Sequence, residues 1–184
     1  MNLPNLLTWL RVLAIPLLVA VFFLPISASA MNTTATVLFV AAAVTDWVDG
    51  WLARKLGQTS AFGAFLDPVA DKLLVCAALV MLVELNRVGA LVAVIIIGRE
   101  ITISALREWM AQIGARGSVA VHSIGKFKTI AQLVAIPMLL YHAPLMGVDV
   151  HRVGTWLIYV AAVLTVWSMF YYLRKAWPYL SESM

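Results

Sequence analysis

The chain has 184 residues, 63% of them hydrophobic and only 12% charged, with a formal net charge of +4 and a mean hydropathy of +0.95. A water-soluble domain carries roughly 25% charged residues, so a soluble globule of this size, with too few solvated groups to cover itself, is excluded. The positive balance does not point to nucleic acid, because Lys and Arg in a membrane protein are placed mainly by topology.

A helix needs about 20 mostly apolar residues to cross the hydrocarbon core. Stretches at 6–25, 33–53, 69–85, 88–110, 127–143 and 153–173 meet or approach that length. The expected fold is therefore an all-α membrane protein. It has six transmembrane helices, a short amphipathic N-terminal segment and one integral-membrane catalytic domain over residues 1–184. The first stretch ends in Ser27-Ala28-Ser29-Ala30, which looks like a signal-peptide cleavage site. No Lys or Arg precedes the run, however, and Arg11 lies inside it, so a retained first span is expected.

Six spans put both termini on one side. That side receives Arg11, Arg54, Lys55, Lys72, Arg99, Arg107, Arg116, Lys126, Lys128, Arg174 and Lys175, and the other keeps Arg87 and Arg152. This asymmetry makes the termini and the segments 55–68 and 111–126 cytoplasmic. Cys76, the single cysteine, rules out an intramolecular disulfide. Pro16 and Pro137 fall within spans and predict kinks or breaks.

The second and third stretches carry the chemistry. Asp46 and Asp49 are three residues apart, and Asp67 and Asp71 four, so each pair shares a helical face. A carboxylate at membrane depth is costly and marks function. Four close together repel unless cations neutralise them, and hard divalent metals take oxygen ligands. Helix caps and salt bridges to Arg54, Lys55 and Lys72 would account for one or two of these acids, not four within 26 residues. Gly50 and Gly63 leave room for close backbone approach, and Arg54 offers a planar fork for phosphate. Acids alone would equally suit a small cation transporter, but transport gives no reason for the Gly50, Arg54 and Gly63 spacing.

Downstream, Arg99, Arg107, Arg116, Lys126 and Lys128 gather on the cytoplasmic side with Ser104, Ser118 and Ser123 among them. Arg99 and Arg107 lie two turns apart on one side of the fourth helix. Such a set suits an acceptor that itself carries phosphate, while topology and anionic lipid account for part of it. His142 and His151 belong to the outward side, far from the acids.

The segment Asp46-Trp-Val-Asp49-Gly50-Trp-Leu-Ala53-Arg54, followed after eight residues by Gly63-Ala-Phe-Leu-Asp67-Pro-Val-Ala-Asp71, resembles the complete signature of the CDP-alcohol phosphotransferases. The resemblance implies a six-helix homodimer with two divalent metal ions, Mg2+ or alternatively Mn2+, facing the cytoplasm. It implies metal ligation by Asp46, Asp49, Asp67 and Asp71, with Asp71 also accepting the alcohol proton. It places Gly50, Arg54 and Ser60, and the leading residues Asn5 and Thr8, against the cytidine diphosphate donor. For Asn5 and Thr8, simple helix capping competes with that role.

Two further segments, Gly98-Arg99-Glu100 through Met110 and Ile124-Gly125-Lys126-Phe-Lys128-Thr129-Ile-Ala-Gln132, resemble one bacterial branch of that family. That likeness implies CDP-diacylglycerol as donor and sn-glycerol 3-phosphate as acceptor at the inner membrane. The acceptor would lie among Arg99, Ser104, Arg107, Arg116, Lys126 and Lys128. Branches of the cardiolipin, inositol-phosphate or serine type are the nearest alternatives.

Overall fold

A computed structural model describes residues 3–56, 61–114 and 123–182. They form α1 (Leu3–Val21), α2 (Ala28–Leu56), α3 (Ala61–Glu84), α4 (Ala90–Gln112), α5 (Ser123–Tyr141) and α6 (Val150–Glu182). Among the described residues the one extended pairing is an isolated bridge between Leu145 and Val148 in the α5–α6 turn. Short connections make sequence neighbours antiparallel. The starts of α1, α3 and α5 therefore meet the ends of α2, α4 and α6 at one end of the bundle.

Packing follows from the placement of apolar residues. In α4 the buried positions Val92, Ala93, Ile96, Arg99, Ile103, Leu106 and Met110 repeat every three or four residues, forming one stripe. The main core joins Leu18, Phe39, Leu79, Ile96, Ile136, Leu139 and Ile158 from all six helices, in the half away from the aspartates. A second cluster, Ile103, Leu106, Met110, Tyr172 and Ala176, closes α4 on α6 at the aspartate end. Where α6 crosses α5, a β-carbon at Gly154 would meet Leu139 Cγ at 3.0 Å and Met138 Cβ at 3.1 Å. Only glycine lets the helices approach so closely there.

The helices outrun the apolar stretches at several ends. α3 begins at Ala61, so Asp67 and Asp71 lie on its second and third turns rather than at its start. Hydropathy registers only the apolar part of a helix, which explains the difference. The expected N-terminal segment is not separate: α1 is continuous from Leu3, and it runs without a break through Pro16, as α5 does through Pro137. Two helices, over Ala28–Asp46 and Val150–Tyr179, are long and apolar enough to cross a membrane. Shorter apolar stretches run over Thr8–Val21 and Phe127–Tyr141.

Candidate active site

The residues at the aspartate end come from helices far apart in sequence. Thr8 and Arg11 stand one turn apart on the inward face of α1, and both are buried, Arg11 to 1% exposure. The Arg11 guanidinium meets Asp46 of α2, with Nη1 2.5 Å from Oδ1. The Thr8 hydroxyl donates to Asp67 Oδ1 of α3 at 2.6 Å. Thr8 thus works across a helix interface, not as a cap of its own helix. Arg11, which the sequence suggests only as a topological charge, is a component of the site. Its position one turn after Thr8, within an apolar run, is the signal that marks it.

Asp46 is close enough to both Asp67 and Asp71 for their charges to interact across the α2–α3 interface. Arg11 offsets part of this negative charge. Carboxylates that interact in this way supply the oxygen donors that a hard divalent cation prefers. Among the described residues no three acids or histidines converge on a single metal position. The Asp49 side chain lies outside them, as do those of Asn5, Gly50, Arg54 and Lys126 within their helices. Ser60, Arg116, Ser118 and His122 fall wholly outside the described residues.

Asp71 opens onto a cavity of about 60 Å³ between α3, α4 and α5, lined also by Lys72, Val75, Glu100, Thr129, Gln132 and Leu133. Glu100 is the acid at the centre of the basic group. It pairs closely with Lys128 of α5 and sits 3.4 Å from Arg99 Nη1. Lys128 is 2% exposed and Arg99 7%, and charges so deep need partners. Arg99 Nη2 donates to Ser168 of α6 at 3.1 Å. Arg107 Nη2 donates to the Tyr172 hydroxyl at 3.4 Å, and both guanidinium groups lie near the Tyr172 ring, 5.9 and 5.3 Å from its centre. Arg99 and Arg107 thus do face one side of α4. Their Nε atoms are buried and have no hydrogen-bond partner among the described residues. The Ser104 hydroxyl donates to the Glu100 carbonyl at 2.6 Å, within α4.

The arrangement is an acidic half on α1–α3 and a basic half on α4–α6, joined through a cavity with a carboxylate from each. Negative charge is concentrated on one side of it and positive charge on the other, with Asp71 on the cavity wall between them.

Comparison with known proteins gives the same direction. The family model described as CDP-alcohol phosphatidyltransferase matches residues 1–167. Relatives from Shigella flexneri serotype 5b (strain 8401), Shigella boydii serotype 4 (strain Sb227) and Escherichia coli (strain K12) are each named CDP-diacylglycerol–glycerol-3-phosphate 3-phosphatidyltransferase. Each is 52% identical over 177 residues, covering 95% of this chain and 94% of the relative. With the signature aspartates on α2 and α3 and a match of that extent, the chain belongs to the CDP-alcohol phosphatidyltransferase family.

Proposed function

We propose that this chain transfers the phosphatidyl group of CDP-diacylglycerol to sn-glycerol 3-phosphate, giving phosphatidylglycerophosphate and CMP. The observation that carries the proposal is a cavity that bears Asp71, whose charge interacts with that of Asp46, and Glu100, which pairs with Lys128 and lies beside Arg99. Acids concentrated at one end of the bundle also argue against a transporter, whose path would distribute them through the membrane thickness.

In this reading Asp46, Asp49, Asp67 and Asp71 hold two divalent ions, Mg2+ or Mn2+. Bound there, such ions neutralise the donor's phosphates and stabilise the charge that develops as CMP leaves. Arg11 and Thr8 fix the Asp46 and Asp67 carboxylates. Asn5, Thr8, Gly50, Arg54 and Ser60 flank the nucleotide. Asp71 takes the proton of the acceptor hydroxyl, whose oxygen attacks the phosphatidyl phosphorus as the bridging bond to CMP breaks. Arg99, Arg107, Arg116, Lys126 and Lys128, with Ser104, bind the acceptor phosphate.

The same reading makes residues 1–184 a single domain with six membrane spans, both termini and the site facing the cytoplasm, in the bacterial inner membrane as a homodimer. Every helix supports the membrane placement with exposed large apolar side chains, among them Leu13, Val37, Val80, Leu91, Ile130 and Val163. Such faces are unfavourable in water and suited to lipid.

The test is to incubate purified protein with CDP-diacylglycerol and a panel of alcohols, then weigh the lipid product. Phosphatidylglycerophosphate is expected, chelation should stop CMP release, and Mg2+ should restore it. A product made with serine, inositol phosphate or phosphatidylglycerol in place of glycerol 3-phosphate would reassign the acceptor. Absence of CMP with every alcohol would remove the reaction itself.

A further inference from the structure

Gln132 is 4% exposed, borders the Asp71 cavity, and its side-chain amide makes no hydrogen bond among the described residues. An amide at a cavity wall offers both a donor and an acceptor to what enters, so this side chain is set to meet a group there. The lining carries two carboxylates, Asp71 and Glu100, against one cation, Lys72, which disfavours an anion there. A neutral hydroxyl matches the amide in both roles. The cavity, about 60 Å³, exceeds the roughly 10–15 Å³ that a single water needs, so a small hydroxyl-bearing group can enter it.

The spacing on α5 supplies the register. Lys128 and Gln132 are both buried, and residues four apart on a helix stand on one face, about 5–6 Å apart at their β-carbons. A phosphate held among Lys128 and Arg99 thus leaves the neighbouring secondary hydroxyl beside Gln132 and the terminal hydroxyl toward Asp71. We infer that Gln132 is a specificity residue that hydrogen-bonds the acceptor's secondary hydroxyl, the one that does not react. This inference rests on the acceptor assignment above and adds to it the recognition of a 1,2-diol. It predicts that an acceptor with the phosphate and the terminal hydroxyl, but not the middle one, is used poorly.

The experiment compares kcat/KM for sn-glycerol 3-phosphate and for 3-hydroxypropyl phosphate, which lacks only that hydroxyl, in wild type and Gln132→Met. Wild type should prefer the diol by about tenfold or more, the scale of one hydrogen bond. In Gln132→Met, of similar size but unable to make the bond, the ratio should collapse toward one. A general structural defect would lower both acceptors together and preserve the ratio, which would overturn the inference. So would a wild-type enzyme that does not discriminate. If Gln132→Met fails to fold, Gln132→Asn, which draws the amide back by one methylene, should still reduce the ratio, and an unchanged ratio would overturn the inference. No turnover of glycerol 3-phosphate by wild type would instead defeat the acceptor assignment, whereas turnover without discrimination defeats Gln132 alone.

Discussion

Arg87 and Arg99 are twelve residues apart, and they are used in opposite ways at the two ends of the bundle. Arg87, in the α3–α4 turn, donates through Nη1 to the carbonyls of Leu139 at 3.1 Å and Leu140 at 2.7 Å, and through Nη2 to Asn32 Oδ1 at 2.8 Å. Its partners are two backbone oxygens at the end of α5 and a neutral amide on α2, none of which a ligand would displace. Arg99 leans instead on Ser168 at 3.1 Å and Glu100 at 3.4 Å, and its buried Nε has no partner among the described residues. A guanidinium spent on backbone ties helices together, whereas one held loosely beside a carboxylate can exchange that contact for a phosphate. Residue type does not separate the two arginines; their partners do.

The largest effect expected at the site end comes from Asp71→Asn. Removing a positioned base costs about 10²- to 10⁴-fold, so CMP formation should fall by about that factor with the fold intact by thermal melting. Turnover near the wild-type rate would remove Asp71 from its role and leave the cavity without a base.

Arg99→Met and Arg87→Met test the comparison directly. Losing one hydrogen bond to a charged group is worth roughly 1.5–3 kcal/mol. For Arg99→Met this predicts kcat/KM for glycerol 3-phosphate lower by about 10- to 100-fold, with the KM for CDP-diacylglycerol unchanged. For Arg87→Met a similar energy should appear as lost stability, roughly 3 kcal/mol, read as a lower Tm in detergent, with KM for the acceptor unchanged. If both variants moved the same observable, the distinction between the two ends would fail.

Much of this organisation is legible in the sequence, because it depends on neighbours along one helix. The six helices follow from apolar stretches, and the placement of Asp67 and Asp71 one turn apart on α3 follows from spacing. The two-turn spacing of Arg99 and Arg107 correctly put them on one side of α4. What the sequence hides are contacts between helices. Thr8 and Asp67 are 59 positions apart, Lys128 and Glu100 are 28 apart, and no periodicity within either helix announces such pairs. Arg11 looks like one more cytoplasmic cation until its burial against Asp46 is seen, and Arg87 looks like a surface charge until its three acceptors are counted. Gln132 has a neighbour of the right type one turn away in Lys128, but only the cavity beside Asp71 gives that spacing a meaning.

The smallest effect belongs to the pair His142 and His151, at the Arg87 end. Their Nδ1 atoms are 3.1 Å apart and their rings meet edge to face, with centres 4.4 Å apart. His142 follows the last residue of α5 with φ of 55°, a left-handed conformation that asparagine also adopts readily. His142→Asn therefore preserves the backbone and removes one imidazole from a site on the far side of the apolar core. Substitutions away from buried networks usually change stability by about 0.5 kcal/mol or less, and kcat/KM for the acceptor should stay within about twofold, since no charge at the aspartate end is altered. A clear loss of acceptor use in this variant, measured beside Arg87→Met, would mean that the two ends communicate through α5. Lys128, Gln132 and the carbonyls that hold Arg87 would then work as one element.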